Sequence, residues 1–375
     1  MNALREALAV SDALPDTLTD TSPHPSRECP ACGVSQPASG GGAMAHPTSA
    51  AGLDLPWLVG DIGGTNARLG WIDSPSLQVT QVRTLPVAGH DGPASAVRRY
   101  LDELALAPGA ASAPRHAALA VATAVTGDRI EMTNSPWRFS RAGLEADLGL
   151  RSLAVLNDFE ALALSLPRLQ ATQLRWRGLA PQPGGTMAVI GPGTGLGVAG
   201  VVQTPRAWLA LPGEGGHATL SAADDFESAL LAWVRGRHEH VSAERLLSGI
   251  GLPLLHQALA AVNGEPADEL SAQDIVERGL ADAGGLCGRT LDAFCALLGS
   301  FAGNVALTLG ARGGVYIGGG IVPRLGERFF DSRFRERFEA KGRFRSYLAG
   351  IPTVLITDTL VALEGAAVAV AQNLR

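Results

Sequence analysis

Two glycine-rich turns, an Asn-Asp pair and a Glu/His loop are the places in this chain where residue type and spacing could do chemistry. In Asp61–Asn66, DIGGTN, the glycines let backbone N–H groups turn inward and Thr65 adds a hydroxyl, a concave site that a nucleotide phosphate would fit. Asp61, ending the first apolar run, could hold Mg2+ through water, because that ion keeps its hydration shell and takes few protein carboxylates. A tight hairpin with an aspartate at its mouth explains the same residues equally well. The second turn, GPGTGLG at 191–197, offers more amide donors. Its overlap Gly195–Gly200 matches G-x-G-x-x-G, yet a dinucleotide fold needs a helix directly after the glycines, and VAGVV continues as strand. A Walker A loop is excluded as well, since the only lysine, Lys341, follows Ala340. Phosphate charge would have to be met by amides, magnesium and arginine.

After the apolar run Leu153–Leu156 come Asn157 and Asp158, an amide and a carboxylate at a strand's carboxyl end, where α/β folds place ligands. Asp158 is the candidate general base for phosphoryl transfer: an aspartate bonded to the attacking hydroxyl orients it and takes its proton. Asn157 would hold a neighbouring hydroxyl, although either residue could simply cap the helix that follows. The loop PGEGGH, 212–217, sets Glu214 and His217 among residues too small to bury them, and both side chains suit sugar hydroxyls. In HVSAERLLSG, 240–249, Ser242 reads as the N-cap of a short helix with Glu244 in its first turn, where the dipole alone accounts for the carboxylate.

The elements that must position these residues follow an α/β rhythm from Leu58 onward. Glycine-bounded apolar runs alternate with helical stretches at Ala94–Leu104, Phe159–Leu166, Phe226–Arg237 and Leu286–Leu309, and the sheet is expected to be mixed. Residues 58–72 and 188–202 both read strand, small-residue turn, strand, a pseudo-repeat that suggests two related domains facing a shared cleft. A chain of 375 residues with 46% apolar and 18% charged side chains can bury the core of two domains. Its net charge of −6 lacks the basic excess of a non-specific nucleic-acid binder. No apolar run such as Ala117–Val125 reaches the length of a membrane span. No secretory signal is expected from a start carrying Glu6, Asp12 and Asp16, and four cysteines fit a reducing cytosol. Residues 1–53, rich in Pro, Ser, Gly and Ala, read as a disordered extension; His24, Cys29, Cys32 and His46 could ligate zinc, but no pattern there supplies a core to hold them. Met44 would make an ordinary short N-terminus and is expected to be the native start.

Taken together, LVGDIGGTNARLG, MTNSPWRFS, VLNDFEA, GPGTGLGVA, LPGEGGH, HVSAERLLSG and GGVYIGGGIVPR run in the order of the bacterial glucokinase family, which the chain resembles over residues 57–357. The resemblance implies an actin-like (duplicated ribonuclease H-like) hexokinase-type fold, α/β with mixed sheets and a central cleft. Its implied division is 54–168 plus 357–375 as the smaller domain and 169–356 as the larger. The implied activity is ATP- and Mg2+-dependent phosphorylation of glucose at the 6-hydroxyl by a cytoplasmic homodimer, with no nucleic-acid or membrane partner. The resemblance makes Asp158 the base and has Asn157, Asp158, Glu214, His217 and Glu244 hold the sugar. It assigns Gly60, Asp61, Ile62, Gly63, Gly64 and Thr65 to the ATP phosphates, and Gly193, Thr194, Gly195, Gly318, Gly319 and Gly320 to the rest of the nucleotide. Pro192 departs from the AGTGLG common in the family, and LVALEGAA at 360–367 from a more glycine-rich ending. Two other readings stay open at this point: a kinase of another hexose, and a sugar-sensing regulator, for which residues 1–53 offer neither a basic stripe nor a helix pair.

Overall fold

In β1 (Trp57–Ile62) and β4 (His116–Val121) nearly every residue is buried, the pattern of parallel strands covered on both faces rather than of an alternating surface strand. The computed structural model describes residues 54–105, 113–182 and 184–374. The expected extension, the zinc reading of His24, Cys29, Cys32 and His46, and the start at Met44 lie outside the described residues.

The first half runs β1, β2 (Asn66–Ile72), β3 (Thr80–Pro86), α1 (Pro93–Ala105), β4, β5 (Arg129–Glu131), β6 (Arg138–Ser140), α2 (Arg141–Asp147), β7 (Ser152–Asn157) and α3 (Asp158–Ser165). Next come β8 (Leu174–Trp176), β9 (Met187–Pro192), β10 (Leu196–Gln203), β11 (Trp208–Gly213), α4 (Asp225–Arg235), α5 (Gly251–Asn263), α6 (Ala272–Ala281) and α7 (Leu286–Leu309). The chain ends with β12 (Gly314–Ile317), α8 (Val322–Leu325), α9 (Glu327–Asp331), α10 (Phe334–Glu339), α11 (Arg345–Ala349), β13 (Thr353–Ile356) and α12 (Val361–Asn373).

Of the two large sheets one has the order β3-β2-β1-β4-β7 and the other β11-β10-β9-β12-β13-β8, while β5 and β6 pair in a small sheet of their own. Each large sheet is built from an antiparallel hairpin, β1–β2 or β9–β10, whose first strand then pairs in parallel with β4 or β12. The pseudo-repeat is therefore a repeat of topology. This doubled, mixed-sheet arrangement is the actin-like, hexokinase-type fold that the resemblance implies.

Side-chain alternation sorts each strand between two layers. Leu58, Ala117 and Leu119 face α1 and α2, whereas Trp57, Val59, Ala118 and Ala120 face α3 and α12. The same α3 and α12 cover Met187, Val189, Ala199, Val201, Tyr316 and Val354 of the second sheet, whose far face packs on α4 to α7. These two helices form the middle layer, and both sheets belong to one compact unit, Ala50–Arg375. The close approach of α12 to α3 needs Gly365, where a Cβ would fall 1.7 Å from the carbonyl oxygen of Ala161.

One expectation is corrected here. Helix α7, with 24 residues, is long and apolar enough to cross a membrane, although no run in the sequence reached that length. Arg289, Asp292 and Asn304 interrupt its apolar runs, so the eye breaks it into shorter pieces. With 72% of its most apolar window buried, it is the central core helix beneath α5, α6 and α10. Cys287 and Cys295 both lie on it as free thiols, pushed up from their ordinary range by burial.

Candidate active site

Parallel register brings the catalytic candidates to one edge. Ile62 on β1 pairs with Val121 on β4, which pairs with Asn157 on β7, so the turn after Ile62 and the residue after Asn157 emerge at the same edge of the sheet with β4 between them. On the second sheet Ile190 pairs with Ile317, which sets the turns 193–195 and 318–320 next to each other. All four lie at the carboxyl ends of parallel strands.

Asp158 is the first residue of α3, capped by Asn157, whose Oδ1 accepts the Phe159 N–H at 2.9 Å. Asn157 Nδ2 donates to Thr123 O at 3.1 Å, so the amide clamps β7 to the end of β4 as well as capping. Capping, one of the two sequence readings, is thus present, and the same side chain also bonds to the Asp158 carboxyl. Burial, reinforced by the neighbouring charge of Asp61, pushes the Asp158 carboxyl up to about 6. Asp61 is itself raised by burial, opposed by Arg68, whose Nη1 lies 2.9 Å from Asp61 Oδ2. Arg68 was missed from sequence. Its signal was the hairpin register, which places Asp61 and Arg68 directly opposite each other.

Three turns line the same edge. Gly63 N–H closes the first on Asn66 O, Gly193 N–H closes the second on Gly195 O, and Gly318 N–H is taken by Ile190 O. Among the described residues, no hydrogen bond uses the N–H of Gly64, Thr65, Thr194, Gly195, Gly319 or Gly320. Six unpaired amides at the strand ends of the two sheets suit an oxygen-rich anion. Gly319 sits at φ +79°, with Pro192 O only 2.3 Å from where a Cβ would be, so no other residue fits there. Asn134, from the MTNSPW loop, presses against Gly64 and was also missed. Gly60 and Ile62 are strand residues of β1 with paired backbones; Ile62 is 1% exposed, and a Cβ on Gly60 would meet Leu119 at 2.5 Å. Their role is to carry the turn, and Gly63, Gly64 and Thr65 form it.

Glu214, His217 and Glu244 form a second cluster. His217 stands between the two carboxylates, Nε2 at 3.9 Å from Glu214 and Nδ1 at 4.0 Å from Glu244. Side chains of Glu214 and His217 are more than half exposed, as residues flanked by glycines should be. The short helix expected after Ser242 is absent. Residues 242–249 are turns because their amides are drawn outward: Ala243 N–H to Ala218 O, Glu244 N–H to Gly216 O and Gly249 N–H to Gly193 O. Ser242 keeps a local capping bond, Oγ accepting the Arg245 N–H at 3.2 Å. Glu244 therefore serves no helix dipole; its Oε2 accepts the Leu196 N–H at 2.8 Å and ties this cluster to the turn 193–195. Among the described residues no hydrogen bond joins this cluster to Asp61 or Asp158. A cavity of about 550 Å3 lies away from both, against α4, α5 and α7.

A family model described as Glucokinase matches residues 58–373. The chain belongs to the glucokinase family. It is 51% identical over 315 residues to the glucokinase of Aromatoleum aromaticum, covering 84% of this chain and 94% of that one. Identity to the glucokinase of Chromobacterium violaceum is 47% over 326 residues, covering 86% and 92%. A crystal structure of a glucokinase from an Antarctic psychrotroph matches with a TM-score of 0.77 at 38% identity, over 84% of this chain and 99% of that one. A ROK family glucokinase from Streptomyces griseus, solved with glucose and AMPPNP, shares the fold at a TM-score of 0.57 and 19% identity, over 85% of this chain and 100% of that one. In this glucokinase family member Asn157, Asp158 and the three glycine-rich turns thus sit at strand ends of a fold shared with sugar kinases.

Proposed function

We propose that this chain transfers the γ-phosphoryl group of ATP to the 6-hydroxyl of glucose, forming glucose 6-phosphate and ADP, the entry step of glycolysis. The observation that carries this reading is a carboxylate, Asp158, held at about 6 at a strand end beside amide-lined turns. A base of that strength is ionised at neutral pH yet strong enough to take the hydroxyl proton as the oxygen attacks phosphorus. The sugar is held by Asp158 itself, by Asn157, and by Glu214, His217 and Glu244. The amides of Gly63–Thr65, Gly193–Gly195 and Gly318–Gly320 receive the nucleotide.

Asp61 fits a magnesium ion held through water, because Arg68 occupies only Oδ2 and, among the described residues, no hydrogen bond uses Oδ1. Magnesium, when bound, would offset the phosphate charge that six amides and Arg68 only partly meet. Residues 54–168 with 357–375 then close on residues 169–356 as two domains, bringing the Glu214–His217–Glu244 cluster toward Asp158 and excluding water. The protein acts as a cytoplasmic homodimer without nucleic-acid or membrane partners, a reading supported by the family and, for nucleic acid, by the net charge of −6.

The test is glucose-dependent ADP release with MgATP, wild type against Asp158→Asn, over a panel of glucose, mannose, fructose and an amino sugar. Wild-type turnover with glucose that collapses in the variant supports the assignment. Binding of glucose without turnover in the wild type would replace it with a sensor.

A further inference from the structure

Phe159, next to the proposed base, has no part in the chemistry above, yet its ring occupies an unusual place. Gly191 on β9 and Gly197 on β10 are direct partners in the hairpin that ends in the turn 193–195. A Cβ on Gly191 would fall 2.4 Å from the ring's Cζ, and one on Gly197 would fall 2.0 Å from both Cδ2 and Cε2. The ring thus fills the volume that two side chains would need, flat against bare backbone. One turn further along α3, Leu162 Cδ2 lies 3.5 Å from the Cβ position of Gly318, at the other nucleotide turn. At its backbone, the Phe159 N–H is held by Asn157 Oδ1 and by Asp158 Oδ1 at 3.0 Å. One residue is therefore bonded to the base through its amide and seated on the donor-side hairpin through its ring.

We propose that Phe159 is a positioning residue that sets the distance between the Asp158 carboxylate and the phosphate-binding turn 193–195. Among the described residues the hydrogen bonds of Asp158 stay at its own end of α3, and the ring of its neighbour seats that end on the hairpin of the second sheet, a spacer between acceptor and donor sides. Aromatic bulk is needed because the slot is as wide as two missing side chains, and interiors transmit a loss of packing as a shift. Transfer is sensitive to such a shift, about a hundredfold for a misplacement of about 1 Å. The inference rests on the proposed kinase reading, and the failures of the two are separable.

Phe159→Leu and Phe159→Met keep apolar volume but cannot lie flat across the glycine pair, and Gly197→Ala pushes the ring from the other side. We expect each single variant to lose about tenfold or more in kcat, with the glucose Kd measured without nucleotide within about twofold of wild type. The double variant Phe159→Leu/Gly197→Ala should lose less than the product of its singles, since both act on one contact. A kcat within about twofold of wild type alongside a lowered thermal midpoint would make the ring mere packing. Additive losses, or failure of both Phe159 variants to fold, would overturn the proposal in the same way. A wild type that never phosphorylates glucose would instead strike the functional reading, and that is known before any variant is made.

Discussion

The pH dependence of transfer tests the geometry around Asp158 most directly. With its carboxyl at about 6, Asp158 is about nine-tenths ionised at pH 7 and about one-tenth at pH 5. If it is the base, kcat/KM for glucose should fall about tenfold between those values, with an acid limb centred at about 6. Two causes raise the group, burial first and the charge of Asp61 second, and substitution separates them. In Asp61→Asn the charge is gone and the burial remains, so the limb should move to lower pH but stop short of the ordinary value of 3.8. The loss of activity at pH 5 relative to pH 7 then becomes smaller than tenfold, whatever happens to the absolute rate. The assay is glucose 6-phosphate measured in quenched samples from about pH 4.5 to 8, each variant normalised to its own plateau. A wild-type limb near 4 would refute the buried base, and a limb unmoved by Asp61→Asn would refute the coupling of the two carboxylates.

The same shift has a thermodynamic counterpart. Because the folded pKa is raised, the penalty of the ionised carboxylate is absent below the unfolded value near 3.8, grows through the interval, and is complete above about 6. A rise of about 2 units corresponds to roughly 3 kcal/mol, so Asp158→Asn should be inactive yet melt higher than wild type at pH 7.5, with the gain fading as pH falls toward 4; equal melting temperatures at pH 7.5 would count against it. Glu244→Gln weakens the charge-assisted bond to Leu196 N–H while leaving a hydrogen-bonding group, and should raise KM for ATP as well as for glucose; a change in glucose KM alone would deny the tie to the turn. Arg337 on α10 is bonded to Glu227, which is 4% exposed, and to Asp224 at 3.1 Å, so Arg337→Ala should cost about 3–5 kcal/mol in urea unfolding and leave kcat unchanged.

Local signals in the sequence were enough for the two hairpins and for the strand ends carrying Asp158 and the turns. Glycine at a reversal, apolar runs and a residue that can cap a helix act within a few residues of themselves. The helical stretches at 94–104, 159–166, 226–237 and 286–309 correspond to α1, α3, α4 and α7 for the same reason. The errors share an opposite cause. Ser242 looks like the cap of a helix until the neighbouring amides find partners in two other loops, and α7 reads as shorter apolar pieces until folding buries it as one helix.

By itself, then, the sequence determined which residues could do chemistry and that a strand–turn–strand unit occurs twice, because those properties reside in side-chain type and short-range backbone preference. Tertiary structure alone decided what each residue faces. Arg68 meets Asp61 only through hairpin register, Asp158 is raised only because folding buries it beside Asp61, and Glu244 reaches Leu196 from 48 residues away. The ring of Phe159 finds Gly191 and Gly197 only when the middle-layer helix docks on the second sheet. Electrostatics and packing depend on distance in space, and sequence separation carries no record of it.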